Sequence, residues 1–127
     1  MAAYGTIETQ REETVATAGK IASADTVEAA VRSYFHDIPV MAEVARCEST
    51  FRHTLADGSV LRGAVDGADT GVMQINKRYH QAQAVSLGLN LDDFEDNMAY
   101  ARYLYENQGT QPWNASSPCW SRSIAMR

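Results

Sequence analysis

This chain has no apolar run approaching the roughly 18 residues that a membrane span needs. Basic residues are also scarce and scattered. There are two lysines, Lys20 and Lys77, and the 11 basic side chains face 16 acidic ones, for a formal net charge of −5. Binding a phosphate backbone needs a clustered basic face, so a nucleic-acid partner is excluded. The same acidity gives no pull toward an anionic polymer, and recognition of one would rest on a shaped groove. Cysteine is scarce too. Cys47 and Cys119 allow one intramolecular pairing, and a bridge or two buried thiols fit the sequence equally. His36, His53 and His80 lack both a partnering cysteine cluster and the spacing of a metal site. They are expected as surface or core histidines, with no metal or other cofactor. Residues 1–24 carry Glu8, Arg11, Glu12 and Glu13 and no apolar core, so they are not expected to act as a signal peptide.

What is present suits one globular domain. At 127 residues the chain is near the commonest domain size, and 45% hydrophobic with 21% charged residues is enough apolar material for a core. Residues 1–24, rich in Ala, Thr, Ser and Glu, are expected to be a loose arm or weak surface helix. Residues 25–127 are expected to form the folded domain.

Within it, Asp25 and Glu28 form a capping-box-like start, with Val27, Val31 and Tyr34 on one helical face. Asp37-Ile38-Pro39 opens a second helix, since proline is tolerated in a first turn. Its apolar stripe is Val40, Met41, Val44 and Ala45, and Glu48 falls four residues beyond Val44 on the same side. A carboxylate ending an apolar stripe is unusual. Asp57-Gly58 and Asp66-Gly67 are turn dipeptides flanking a strand-like Ser59–Leu61, which reads as a small hairpin or irregular lobe. Helical patterning returns from Lys77 to Leu87 and stops at Gly88. Asp92 with Glu95 caps a further helix whose inner face is Phe94, Met98, Ala101 and Leu104/Tyr105, and Gly109 ends it. The expected class is α+β, mainly α, with one small β element.

Four segments taken in order resemble the lysozyme-like superfamily, which holds animal lysozymes and bacterial soluble lytic transglycosylases. Glu48-Ser49-Thr50-Phe51 is similar to its Glu-Ser-x-Phe signature, and Gly71-Val72-Met73-Gln74-Ile75 to its Gly-Leu-Met-Gln-Ile element. Asn97-Met98 with Tyr103-Leu104 resembles the Asn-Ile…Tyr-Leu helix of the transglycosylases. Trp113-Asn114-Ala115 resembles their Tyr-Asn-Ala element, with Trp in place of Tyr. The resemblance runs from about Val40 to Trp120. It implies a groove between a helical lobe and a small β-hairpin lobe, a Cys47–Cys119 disulfide, and an extracytoplasmic monomer that takes a peptidoglycan strand as substrate. The implied reaction cuts the β-1,4 bond after N-acetylmuramic acid, in a role such as antimicrobial defence or wall remodelling.

The residue types suit that chemistry. Cleaving a glycosidic bond needs a carboxylic acid still protonated near neutral pH, and burial against apolar groups raises a carboxyl pKa. The resemblance makes Glu48 that acid; the bland alternative is a solvated helix-end glutamate or an ion pair with Arg52. Asp69 lies where the animal lysozymes carry their second carboxylate, and its bland alternative is turn chemistry. Asp66 is expected as a turn residue. Ser49, Gln74, Asn76, Tyr103 and Trp113 are the expected glycan contacts, with Tyr79 as a further stacking surface; for Tyr103 and Tyr105 helix core is the competing expectation. Three functions stay open: a hydrolytic lysozyme using Glu48 and Asp69, a lytic transglycosylase using Glu48 alone and releasing 1,6-anhydro products, and a non-catalytic glycan-binding module.

Overall fold

The computed structural model describes residues 24–125. The expected loose arm lies outside these residues, apart from Ala24, which opens the first helix. The described residues are mainly helical with one small two-stranded antiparallel sheet.

Helix α1, Ala24–Tyr34, buries Val31 and half-buries Val27 and Tyr34, as its spacing predicts. Its capping box does not form. The described helix already includes Ala24 and Asp25, so Asp25 sits inside the first turn and not at the N-cap, and the Glu28 carboxylate takes Arg32 Nε at 2.8 Å one turn on. Asp37 goes to a distant partner, Arg102, at 2.9 Å, and leaves Pro39 at the N-cap of α2, Val40–Ser49. Met41, Val44 and Ala45 of that helix are fully buried. Each large apolar side chain so buried contributes about 1.5–3 kcal/mol relative to exposure.

The segment after α2 is an irregular lobe held by isolated bridges, Thr54 with Val60 and Arg62 with Thr70, rather than a strand over Ser59–Leu61. The sheet proper comes later. β1, Asp69–Thr70, pairs antiparallel with β2, Ile75–Asn76, so that Asp69 faces Asn76 and Thr70 faces Ile75. Between them Gly71 adopts φ +75°, and a Cβ there would stand 2.6 Å from Asn97 Nδ2 and from His53 Cε1. Only glycine fits that close approach.

Asn76 also caps α3, Lys77–Ser86, by accepting the Arg78 N–H. Helix α4, Phe94–Gln108, is capped by Asp93, whose carboxylate accepts the Asp96 N–H at 2.9 Å. The expected Asp92/Glu95 pair is therefore displaced by one residue, because Asp92 is drawn to Lys77 Nζ at 2.8 Å. Gly109, at φ +64°, ends α4 by donating its N–H to Tyr105 O. A 3-10 helix, Gln111–Ser116, leads into α5, Ser117–Ala125. Helix α5 packs on α2, and the Cys47–Cys119 disulfide ties the two across a sequence separation of 72, with Cα atoms 6.1 Å apart. In the chain-entropy account such a bridge stabilises by about 3–5 kcal/mol.

Candidate functional site

Glu48 occupies the last turn of α2, immediately after its buried stripe. The chain then leaves the helix through Thr50 and Phe51, both at positive φ (51° and 58°). This sharp exit is closed by local hydrogen bonds. Ser49 Oγ donates to Ala45 O at 3.0 Å and accepts the Arg52 N–H at 3.3 Å, and Arg52 Nε donates to Ser49 O at 3.0 Å and Thr50 Oγ1 at 3.1 Å. Arg52 is thus turned back on the helix end instead of pairing with Glu48. Ser49 is buried with its hydroxyl committed to the turn, so it shapes the position of Glu48 and is not a free glycan contact.

The Glu48 side chain is half-buried, and its Oε2 accepts from Ser116 Oγ at 2.7 Å. Burial pushes this carboxyl above the usual range; the Ser116 hydrogen bond pulls against that, and the negative charge of Asp69 adds to the rise. Ser116 is itself held in place. Trp120 Nε1–H donates to Ser116 Oγ at 3.1 Å, and Trp113 O lies 3.1 Å from the same hydroxyl.

The β1–β2 register brings Asp69 to Asn76. The Asn76 amide donates to Asp69 Oδ1 and to Asp66 Oδ2, both at 3.0 Å, while its oxygen caps α3. An amide used at both ends positions carboxylates; it is not the free sugar-binding group expected for Asn76. Asp66 takes the turn role, accepting the Ala68 N–H at 2.9 Å. It is also paired with Arg78 at 3.0 Å, and Arg78, the Ala68 N–H and Asn76 together hold its carboxyl down at about 2. Asp69 lies in a strand, and its side chain lines a groove.

That groove has a volume of about 290 Å³ and runs between the small sheet and the helices. It is lined by Asp69, Gln74 and Asn76 from the sheet region, Tyr79 and His80 of α3, and Pro112 with Trp113 of the 3-10 helix. Gln74, at φ +50°, ties its amide back to Gly71 O at 2.9 Å. Trp113 is buried and donates Nε1–H to Met73 O at 2.9 Å, which locks the groove wall to the turn between the strands. Tyr79 is 74% exposed, the kind of ring face a sugar can stack on. Tyr103 is not brought to the groove. Its hydroxyl accepts from Gln83 and its ring tilts against Tyr100 at 5.5 Å, so the helix-core expectation describes it better. Glu48 is not among the lining residues; it joins the groove wall through Ser116 and Trp113.

Comparison with protein-family models, curated proteins and solved structures finds no match to this chain.

Two contributors were assigned no role from sequence. His80 was expected as a surface or core histidine, yet it lines the groove with Nδ1 3.0 Å from the buried Tyr100 hydroxyl. Ser116 directly follows the Trp113-Asn114-Ala115 element, but nothing in its spacing signals Glu48, 68 positions earlier. Among the described residues no group of His, Cys, Asp and Glu side chains could hold a metal ion.

Proposed function

We propose that this chain is a glycosidase with a lysozyme-like fold that hydrolyses the β-1,4 bond between N-acetylmuramic acid and N-acetylglucosamine in peptidoglycan. The observation that carries the reading is the placement of Glu48, a half-buried carboxyl that ends the buried stripe of α2 and is held by Ser116 Oγ at 2.7 Å; burial raises it above its ordinary range, and the charge of Asp69, which lines the groove, adds to the rise. A general acid for glycoside cleavage needs that combination: a proton retained toward neutral pH, and an opposite carboxylate that stabilises or attacks the oxocarbenium-like centre. Glu48 protonates the leaving oxygen. Asp69, aimed by Asn76, serves as nucleophile or as base for water. Tyr79 and Trp113 give the glycan its walls.

No helix among the described residues is long and apolar enough to cross a membrane. The Cys47–Cys119 bridge supports an oxidising compartment outside the cytoplasm, where the wall polymer lies.

Mass spectrometry of muropeptides released from purified peptidoglycan tests the proposal. Hydrolysis gives reducing muropeptides, one water heavier than 1,6-anhydro forms. Anhydro products would make the enzyme a lytic transglycosylase acting through Glu48 alone, and an undigested polymer would reduce the chain to a binding module.

A further inference from the structure

The groups around Glu48 are arranged so that one of them can respond to its charge. Trp120 Nε1 is a donor only, and it approaches Ser116 Oγ at 3.1 Å and Trp113 O at 3.2 Å. This permanent donor fixes the Ser116 oxygen and leaves its single proton to choose between two acceptors, Glu48 Oε2 at 2.7 Å and Trp113 O at 3.1 Å. An ionised carboxylate is the stronger acceptor by far, since charge-assisted hydrogen bonds are shorter and roughly twice as strong as neutral ones. A protonated carboxyl can instead give its own proton to the Ser116 lone pair, and the hydroxyl then turns to Trp113 O.

We infer that Ser116 is a positioning residue whose hydroxyl rotates from Trp113 O to Glu48 Oε2 as Glu48 gives up its proton. The inference rests on the proposed role of Glu48 as acid. No bond to Ser116 forms or breaks; one hydrogen bond is exchanged for another. Its value to the reaction is differential. The donor strengthens as negative charge develops on Glu48, so it stabilises the transition state more than the resting acid. Trp120 holds the pivot, and α5 is pinned to α2 next to Glu48 by the Cys47–Cys119 bridge, so the pivot keeps its distance.

The other ionisable neighbours are accounted for. Asp69 acts on Glu48 through its charge. Arg46, on the same helix, ion-pairs with Glu43 at 3.1 Å, and Arg52 is bonded to the helix end. A change at Ser116 therefore reads on Glu48 without passing through a second titrating partner on α2.

Ser116→Ala tests this, with Ser116→Thr as the conservative control that restores a hydroxyl. Ser116 does not line the groove. The alanine variant should therefore keep its KM, lose on the order of 10-fold in kcat, and show the alkaline limb of its kcat profile moved to higher pH. Threonine should restore both. Independently of activity, the Glu48 side-chain carbon in ¹³C-labelled, substrate-free protein should titrate at higher pH in the alanine variant. An unmoved Glu48 titration in Ser116→Ala, or a fall in activity that appears only in KM, would overturn the inference. A moved titration in a protein that cleaves no glycan would leave the hydrogen-bond switch standing and overturn the proposed function instead.

Discussion

His53 Nδ1 lies 3.0 Å from the Val72 backbone nitrogen, 19 positions on, while Nε2 lies 2.7 Å from Asp92 O. A backbone N–H can only donate and a carbonyl can only accept, so the two contacts together define a neutral ring protonated at Nε2. This buried imidazole is the strut that holds the Gly71–Gln74 turn against the start of α4.

The strut should make stability depend on pH. Burial holds the His53 pKa below its ordinary 6.5 against the opposing pull of Asp92 and Asp93. The unfolded chain then binds the proton more readily, so the contribution of His53 is complete above 6.5 and is lost as pH falls through the depressed folded value. Glu48 works in the opposite direction, because its raised pKa costs stability as pH climbs. His80 is held below 6.5 by burial as well and acts in the same direction, so denaturant midpoints between pH 7.5 and 5 should be compared in a Glu48→Gln, His80→Gln background, where they should still fall with pH. A flat midpoint across that window would refute the neutral-strut assignment.

Gly71→Ala should destabilise by about 2–4 kcal/mol, combining left-handed backbone strain with a steric clash. The clash is against His53 and Asn97, two side chains already fixed by their own hydrogen bonds. Equilibrium urea unfolding measures it. A loss below 1 kcal/mol would mean that the turn relaxes freely.

Reduction of Cys47–Cys119, or the double change Cys47→Ala with Cys119→Ala, should lower stability by about 3–5 kcal/mol. It should also loosen α5 from α2, where Ser116 meets Glu48. Mass spectrometry after alkylation under denaturing, non-reducing conditions should find no free thiol in the oxidised protein.

Glu48→Gln should reduce cleavage by on the order of 100-fold to 10,000-fold while preserving glycan binding, because the amide keeps the shape but cannot supply the proton. The same variant should unfold at a higher denaturant concentration than the parent at pH 8, since it removes a desolvated carboxylate. Activity close to that of the parent would place the acid elsewhere.

Asp69→Asn should lower the hydrolysis rate by on the order of 100-fold or more if Asp69 is nucleophile or base. The fold should survive, as Asn76 can keep donating to the remaining amide oxygen. Unaltered kinetics with anhydro products would assign Asp69 a purely structural part.

Local pattern was enough to find helices α1 to α4, but not the 3-10 helix or α5 of the tail. Apolar spacing of 3.6 residues placed Val31 and Tyr34 on one inner face and Met41, Val44 and Ala45 on another, and Gly88 and Gly109 marked helix ends, because burial and backbone freedom are properties of a few adjacent residues. The same pattern put Glu48 at the end of a buried stripe, and the resemblance pointed to Asp69 and to the Cys47–Cys119 bridge that the structure contains. Competition between distant partners had to be decided by the tertiary structure. Asp92 could cap α4 until Lys77 arrived beside it, and Glu28 could box α1 until Arg32 took it. Asn76 looked like a sugar-binding amide until the strand register placed two aspartates on it. Ser116 met Glu48 only through the placement of the 3-10 helix, and His80 met Tyr100 only through the placement of α3. A polar side chain has several partners within its chemistry, and which one it keeps is settled by which elements the buried core forces together.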